Sequence, residues 1–244
     1  MDKHLPAVFA VAGIQNFGWV EPGLLARGEQ PVLEEATFAS LRELGIRTVL
    51  SLRPDGEQPS PNARRVWPEY HVQDEQAVVE RAALRFRHAP MRDFSAPAPF
   101  EIAAALTIVQ AEAAETPAVY VHCRAGAGRT ALVAGAWLVA RGWSGDHAAA
   151  EYVRFMQHVA TSLGKPLDEL PAFLRRVGQP AVWWALREIV AALGSPVTHD
   201  PPFLLPPERP AHSDGWEQGY REALRSGARR TLDGHEAQPG VGPR

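Results

Sequence analysis

Cysteine is almost absent from this chain of 244 residues, which carries only one, Cys123. A single cysteine excludes an internal disulfide and a cysteine-rich zinc site. The histidines suggest no metal site either, because His71, His88 and His147 do not have the spacing of metal ligands. A lone cysteine is typical of a protein in a reducing compartment, and it leaves open whether the thiol is inert or reactive.

Long apolar runs and an excess of charge of one sign are also missing. No stretch approaches the roughly 18 apolar residues of a membrane span. The apolar stretch at 7–14 is shorter than the core of a secretory signal. The formal net charge is −3, which gives no overall positive field to attract nucleic acid or an anionic membrane. We therefore expect a cytoplasmic protein with no membrane span and no nucleic-acid partner; its oligomeric state stays open.

The order of the apolar patterns predicts an α/β fold. Short apolar or alternating runs predict a hairpin around Glu21-Pro22 and strands at 46–52, 84–88 and 118–122. Helical spacing predicts helices at 33–44, within 62–84, and at 97–115, 128–141, 145–159 and 167–177. Because strands and helices alternate, we expect a central, mostly parallel sheet flanked by helices.

The composition changes towards the C-terminus. The proline pairs at 201–202 and 206–207 predict an extended linker. The stretch 216–224 can form one short amphipathic helix, and the Gly/Pro-rich sequence from 234 is typical of disorder. We therefore expect a main domain over 1–194 and, over 195–244, a Pro-rich linker, a short helix and a disordered tail.

The segment 119–130, VYVHCRAGAGRT, carries the strongest chemical signal. It places the lone cysteine at the end of a predicted strand and Arg129-Thr130 at the start of a predicted helix. A loop in that position can direct several backbone N–H groups at one anion, assisted by the positive end of the helix dipole. The residues expected to form this cradle are Arg124, Ala125, Gly126, Ala127, Gly128 and Arg129.

Four side chains of this segment have assignable roles in phosphate chemistry. The cradle would stabilise Cys123 as a thiolate, which is the nucleophilic form. Arg129 offers a planar fork that fits two phosphate oxygens in the ground state and the transition state. Thr130 can donate a hydrogen bond to the thiolate and so improve it as a leaving group. His122 would orient the loop through its ring nitrogens without acting as a base.

His-Cys, five residues and then Arg-Thr resembles the signature loop of the protein tyrosine and dual-specificity phosphatase superfamily. The segment 45–53, GIRTVLSLR, is similar to an early core strand of that family, and 91–97, MRDFSAP, is similar to its general-acid loop. The resemblance covers about residues 17–177. It implies a dual-specificity phosphatase-like fold with a Pro-rich C-terminal extension, and a reaction that needs no metal or other cofactor.

Asp93 is the candidate general acid. A departing alkoxide or phenoxide needs a proton, which a carboxylic acid can supply before it activates the water of the second step. Asp93 follows a predicted strand, so we expect it at the same edge of the sheet as Cys123. Asp74 is the substitute candidate, and the alternative role for Asp93 is to cap the following helix.

The loop departs from the family pattern at two positions. Ala131 follows Thr130 where the family usually has glycine, a change that should not remove the chemistry. Ala127 stands where phosphoinositide phosphatases of the family often carry lysine, so only Arg124 adds charge inside the loop. No long insertion deepens the cleft, which favours a shallow site of the dual-specificity type.

These features together predict a phosphatase that hydrolyses phosphate monoesters through a phosphocysteine intermediate. A phosphorylated protein, with phosphotyrosine as the first choice, is the favoured substrate, and a small phosphorylated substrate is also possible. A phosphoinositide or inositol phosphate phosphatase is the alternative enzyme. A catalytically silent phospho-binding module is the alternative from another class, and a sulfur-transferring or arsenate-reducing enzyme is a third hypothesis. Arg53, at the end of a core strand, either touches substrate or is a solvated loop residue.

Overall fold

The computed structural model describes residues 8–58, 70–93, 96–115, 118–162, 179–199 and 218–225. Its described strands form one six-stranded sheet of order β1-β2-β3-β6-β4-β5. The strands are β1 (Val8–Val11), β2 (Ile14–Glu21), β3 (Leu25–Gly28), β4 (Thr48–Ser51), β5 (Arg85–His88) and β6 (Val119–His122). The first three are joined antiparallel, whereas β3, β6, β4 and β5 pair in parallel.

Seven helices lie in the described ranges. They are α1 (Glu35–Glu43), α2 (Val72–Arg81), α3 (Pro99–Glu115), α4 (Arg129–Ala140), α5 (Gly145–Ser162), α6 (Gln179–Ala192) and α7 (218–225). No described helix is long and apolar enough to cross a membrane.

Helices cover both faces of the sheet, because the central strands are apolar on both faces. In β6, Val119 and Val121 contribute to a core shared with α3, α4, α5 and α6, whereas Tyr120 contributes to the core that includes side chains of α1 and α2. β4 divides in the same way, with Leu50 in the first core and Val49 in the second. Such continuous apolar strands are typical of parallel sheets buried between helices.

The parallel arrangement determines where a site can form. β4, β5 and β6 run in the same direction, so the segments that follow Ser51, His88 and His122 leave the sheet at one edge. The predicted nucleophile follows β6, and Asp93 follows β5. In open α/β sheets this edge is the usual place for ligands.

The predicted fold class is confirmed: the sheet is mixed and mostly parallel, and helices flank it. Two elements were not among the predicted ones. β1 lies within the apolar stretch at 7–14, for which no strand was predicted, and it pairs with β2. α6 lies beyond 167–177, the last helix predicted for the main domain. The helix predicted at 167–177 falls outside the described residues, and α7 occupies most of the range predicted for a short C-terminal helix. The boundary at 194/195 stays a prediction.

Candidate active site

The predicted strand–loop–helix arrangement is present around Cys123. β6 ends at His122, α4 begins at Arg129, and residues 124–128 form the loop between them. The side chain of Cys123 is buried at 2% exposure and forms no disulfide. The nucleophile candidate therefore lies at the bottom of the loop, directly before the N-terminus of a twelve-residue helix.

Three successive carbonyl groups of the loop are bound from the neighbouring strands. The carbonyl oxygen of Arg124 accepts from the N–H of Gln30 at 3.3 Å. That of Ala125 accepts from Nδ2 of Asn16 at 2.9 Å, and that of Gly126 accepts from Nη2 of Arg27 at 2.7 Å. These contacts hold the carbonyl dipoles on the side of β2 and β3.

The N–H groups of the same loop, unlike its carbonyl groups, form no hydrogen bonds with the described residues. None of the N–H groups of residues 124–128 donates to an acceptor in the part of the chain that the structure describes. Gly126 and Ala127 are buried, Arg124 and Gly128 are half-buried and Ala125 is exposed. Backbone donors that are buried are almost always paired in folded proteins. A row of donors without protein acceptors, beside a helix N-terminus, is suited to an oxyanion.

Gly126 makes the tight path of the loop possible. Its φ is +70°, in the left-handed region that side chains disfavour. A Cβ at this position would also overlap the main-chain carbonyl of Gly28 in β3. The loop approaches β3 this closely only because position 126 has no side chain.

Arg129 is held rigidly at the rim of the loop. Its Nη1 donates to the carbonyl oxygens of Leu52, at 3.3 Å, and Met91, at 3.1 Å, which follow β4 and β5. The carboxylate of Glu57 binds both ends of the fork, at 2.9 Å from Nη1 and 3.1 Å from Nη2. The buried Nε of Arg129 has no hydrogen-bond partner among the described residues, so it is a donor that a bound oxyanion could engage.

The charges around Arg129 keep it a cation. Burial by itself lowers the pKa of Arg129, but the negative groups of Cys123, Asp93 and Glu57 raise it, in that order, and the net shift is upward. Arg129 therefore offers a positive charge next to Cys123, as a phosphate-binding arginine would.

Asp93 lies beside Arg129, at the edge of the sheet where it was predicted. Its Oδ2 is 3.2 Å from Nη2 of Arg129, and its side chain is about one quarter exposed. A leaving group bound over Arg129 would therefore be close to the Asp93 carboxyl. Asp74 lies instead in the first turn of α2, and within the described ranges it makes no ion pair with Arg129.

His122 belongs to a fully buried polar network behind the loop. Its Nε2 is 2.9 Å from Oε1 of Glu75, and its Nδ1 is 3.4 Å from the carbonyl oxygen of Cys123. The other oxygen of Glu75 accepts from the Tyr70 hydroxyl at 2.6 Å, and that hydroxyl is 2.8 Å from Oγ of Ser51. The contact of Nε2 with Glu75 has an ion-pair distance but not the geometry of a hydrogen bond. The buried position of the ring directly behind the loop suits an orienting role.

The predicted hydrogen bond from Thr130 to Cys123 is not formed in this structure. Thr130 is fully buried in the first turn of α4, and its Oγ1 has no partner among the described residues. Its role towards the thiolate stays a prediction. A buried hydroxyl without a hydrogen-bond partner destabilises the fold, so packing alone does not account for a threonine at position 130.

Arg27 is a site residue that the sequence argument misses. It is completely buried under the loop, where Nη1 binds Glu151 at 2.8 Å, Nη2 binds the Gly126 carbonyl, and the guanidinium lies 3.6 Å from the centre of the Phe155 ring. Burial lowers the pKa of Arg27, whereas Glu151 and Cys123 oppose that shift. A buried cation thus supports the loop from below.

Arg53 is not a solvated loop residue. Its side chain is fully buried, its Nε donates to Glu57 at 2.6 Å, and its Nη1 donates to Gln30. The guanidinium also lies 4.1 Å from the centre of the Tyr70 ring. Arg53 therefore supports Glu57, and through Glu57 it supports Arg129.

No sequence motif indicated a functional role for three further residues of the site, Glu57, Glu75 and Arg27. Each acts through a partner far away along the chain, such as Gly126 for Arg27 and Arg129 for Glu57. The residues of the cysteine loop stand next to one another in sequence and Asp93 lies in a second recognisable segment, which is why these residues could be found there.

Comparison with known proteins identifies the family of this chain. The model of the PTP-SAK family, described as a Swiss Army Knife protein, DSP-PTPase phosphatase domain, matches residues 14–165. Two solved structures illustrate the likeness. TpbA of P. aeruginosa is 23% identical with a TM-score of 0.47, covering 72% of this chain and 99% of its own. The catalytic core of the PP-IP phosphatase SIW14 of S. cerevisiae is 21% identical with a TM-score of 0.46, covering 68% of this chain and 95% of its own.

The family model spans well over half of the chain, and it includes the loop after β6, Arg129 and Asp93. The resemblance noted in the sequence is thereby confirmed, and this chain belongs to the PTP-SAK family of DSP-PTPase phosphatase domains.

Proposed function

We propose that this chain hydrolyses phosphate monoesters through a phosphocysteine formed on Cys123, and that phosphotyrosine in proteins is its preferred substrate. The observation that carries the proposal is the loop itself. The N–H groups of residues 124–128 have no acceptor among the described residues, and neither does the Nε of Arg129, which begins the helix directly after this loop. Together with the thiol of Cys123 they supply the donors and the nucleophile that a phosphoryl group requires.

The first step forms a sulfur–phosphorus bond. The thiolate of Cys123 attacks phosphorus in line with the ester oxygen, and the phosphorus–oxygen bond breaks. Protonated Asp93 gives its proton to the leaving oxygen, which departs as a phenol or alcohol. Arg129 and the N–H groups of residues 124–128 hold the three remaining phosphoryl oxygens while charge shifts onto them.

The second step restores the enzyme. Asp93, now ionised, accepts a proton from a water molecule that attacks phosphorus, and the sulfur–phosphorus bond breaks. The sulfur leaves as a thiolate, and the buried hydroxyl of Thr130 would stabilise it by turning towards it. Inorganic phosphate is released, and no metal or redox partner is needed for either step.

The charges near Arg129 favour a substrate with a single phosphate group. Glu57 brings a carboxylate to this arginine, and its side chain is 12% exposed. Several phosphates on one ring would be repelled by this carboxylate. An inositol phosphate is therefore the weaker candidate, and a phosphotyrosine side chain is the stronger one.

A substrate panel tests the proposal. Phosphate release is measured for a phosphotyrosine peptide, a phosphoserine peptide and an inositol polyphosphate, with wild type and Cys123→Ser. We expect the highest kcat/KM on the phosphotyrosine peptide and no turnover by the Cys123→Ser variant. A higher kcat/KM on the inositol polyphosphate would refute the substrate assignment. Binding of the peptide by wild type without any turnover would instead support a silent binding module.

A further inference from the structure

The C-terminal helix α7 contacts the loop that carries Asp93. The Tyr220 hydroxyl donates a hydrogen bond of 2.8 Å to the carbonyl oxygen of Pro97, and the Tyr220 ring is buried at 1% exposure in the core beside α6. We call the described residues on either side of Asp93 and Pro97, 91–93 and 96–98, the acid loop. α7 lies outside residues 14–165, the part of the chain that the family model matches.

The approach of α7 to this loop is close at a second point. A Cβ on Gly219 would lie only 3.1 Å from Cγ of Pro99, so the backbone of α7 lies directly against the first residue of α3. Between the two prolines, the N–H of Ala98 is held by Oε2 of Glu101 at 2.6 Å. The end of the acid loop is thus fixed both by α3 and by α7.

The Tyr220 hydroxyl remains a donor over the physiological pH range. Burial raises the pKa of Tyr220, and the carboxylates of Glu101 and Glu188 raise it further, because a phenolate would be desolvated and repelled there. Pro97 is itself buried, so its carbonyl oxygen needs a donor from the protein. The bond between them therefore persists at the pH at which the enzyme would work.

Pro97 follows Asp93 by four positions in the sequence. A chain of four residues spans at most about 14 Å, and the Asp93 carboxylate lies 3.2 Å from Arg129 at the other end. We propose that Tyr220 is a positioning residue that keeps the acid loop against the phosphate loop, so that Asp93 is in place to protonate the leaving oxygen. This inference rests on the proposed role of Asp93 as general acid.

The test compares two substrates that need the acid to different extents. 4-Nitrophenyl phosphate has a good leaving group, and an alkyl phosphate has a poor one. For Tyr220→Phe in the full chain, we expect kcat on the alkyl phosphate to fall about 3- to 10-fold, the loss of about one hydrogen bond. We expect kcat on 4-nitrophenyl phosphate and both KM values to stay close to wild type.

Two further variants keep the test decisive. Ile189→Val removes a methylene from α6 in the same core, costs comparable thermal stability and leaves the Tyr220 bond intact. It should keep the wild-type ratio of the two kcat values. Gly219→Ala places a methyl group against Pro99 but keeps the Tyr220 hydroxyl. It should change the ratio of the two kcat values in the same direction as Tyr220→Phe. A wild-type ratio in folded Tyr220→Phe or Gly219→Ala, or an equal loss on both substrates, would overturn the inference.

Asp93→Asn separates this inference from the proposed function. On the same substrates it should lower kcat on the alkyl phosphate by about 10²- to 10⁴-fold, with a much smaller effect on the nitrophenyl ester. If Asp93→Asn shows no such bias, Asp93 is not the acid and the proposed mechanism fails. If it shows the bias and Tyr220→Phe does not, only the role of Tyr220 is wrong.

Discussion

Glu57 binds both ends of the Arg129 guanidinium: one carboxylate oxygen is 2.9 Å from Nη1 and the other is 3.1 Å from Nη2. The second oxygen also accepts from Nε of Arg53 at 2.6 Å. Arg129 is therefore orientated before any substrate arrives. Its Nε is the one guanidinium nitrogen with no hydrogen-bond partner among the described residues.

Replacing Glu57 tests whether this pairing helps or hinders phosphate binding. Glu57→Gln keeps the size of the side chain but removes the charge-assisted pair, so Arg129 becomes less rigidly held. We expect kcat/KM for a phosphate monoester to fall about 10-fold, the value of one charge-assisted hydrogen bond.

The matched control is Glu115→Gln at the exposed end of α3. Among the described residues, the Glu115 carboxylate forms an ion pair only with Arg85. It should leave kcat/KM unchanged. A rise in kcat/KM for Glu57→Gln would mean that Glu57 competes with the substrate for Arg129.

Gly126 should be intolerant of any side chain. Gly126→Ala combines a φ of +70° with an overlap on the main chain of Gly28, so the loop must move and its N–H groups lose their arrangement. We expect loss of measurable turnover in a protein that still folds. Gly142→Ala is the control, because φ is +85° there with open space around the new methyl group. It should cost only about 1 kcal/mol of stability and keep full activity; equal activity of the two variants would contradict this account of the loop.

Arg27 should matter for the reactivity of Cys123 although it lies under the loop. Arg27→Lys keeps the charge but cannot bind Glu151 and the Gly126 carbonyl with the same geometry. We expect kcat/KM to fall about 10-fold, together with slower alkylation of Cys123 by iodoacetamide at a fixed pH. Arg154→Lys alters the other cation near Glu151, at 4.0 Å, and should change neither quantity. Normal alkylation and turnover in Arg27→Lys would show that this contact has no influence on the thiol.

The pair of Glu75 and His122 predicts a pH-dependent contribution to stability. Burial alone raises the pKa of Glu75, but His122 and the hydrogen bond from Tyr70 lower it, and the net pKa is below the ordinary 4.5. A carboxyl whose pKa is lowered by folding stabilises the protein above the unfolded-state value, and this stabilisation disappears as the pH falls through the folded-state value. Breaking this buried pair should cost about 3–5 kcal/mol near neutral pH.

Denaturant unfolding of wild type and Glu75→Gln over a pH series measures this effect. The free energy of unfolding of wild type should exceed that of Glu75→Gln by the largest amount near neutral pH, and this difference should decrease below about pH 4.5. Glu80→Gln, at an exposed position of the same helix, should show almost no difference at any pH. A difference for Glu75→Gln that grows towards acid pH would contradict the assignment.

The sequence predicts those parts of the molecule that depend on neighbouring residues. Apolar periodicity predicts the central strands and most helices, because β6 and α4 carry their burial pattern within a few residues. The loop of Cys123 and Arg129 is predictable for the same reason. β1 was not predicted, since four apolar residues at a sheet edge resemble any short apolar stretch.

The supporting residues depend instead on contacts across the chain. Arg27 meets Gly126 and Tyr220 meets Pro97, at separations of 99 and 123 residues. A buried arginine such as Arg53 has the same sequence signature as an exposed one, which is why the alternative of a solvated side chain was wrong. Only the folded chain brings such partners together.

The most direct test of the account is to trap the covalent intermediate. Wild type is mixed with 4-nitrophenyl phosphate, quenched with acid during turnover, and its peptides are analysed by mass spectrometry. We predict a phosphate group on the peptide that carries Cys123, and none on the same peptide of Cys123→Ser, which should also be inactive. Full turnover by Cys123→Ser, or phosphate on a different residue, would contradict the account.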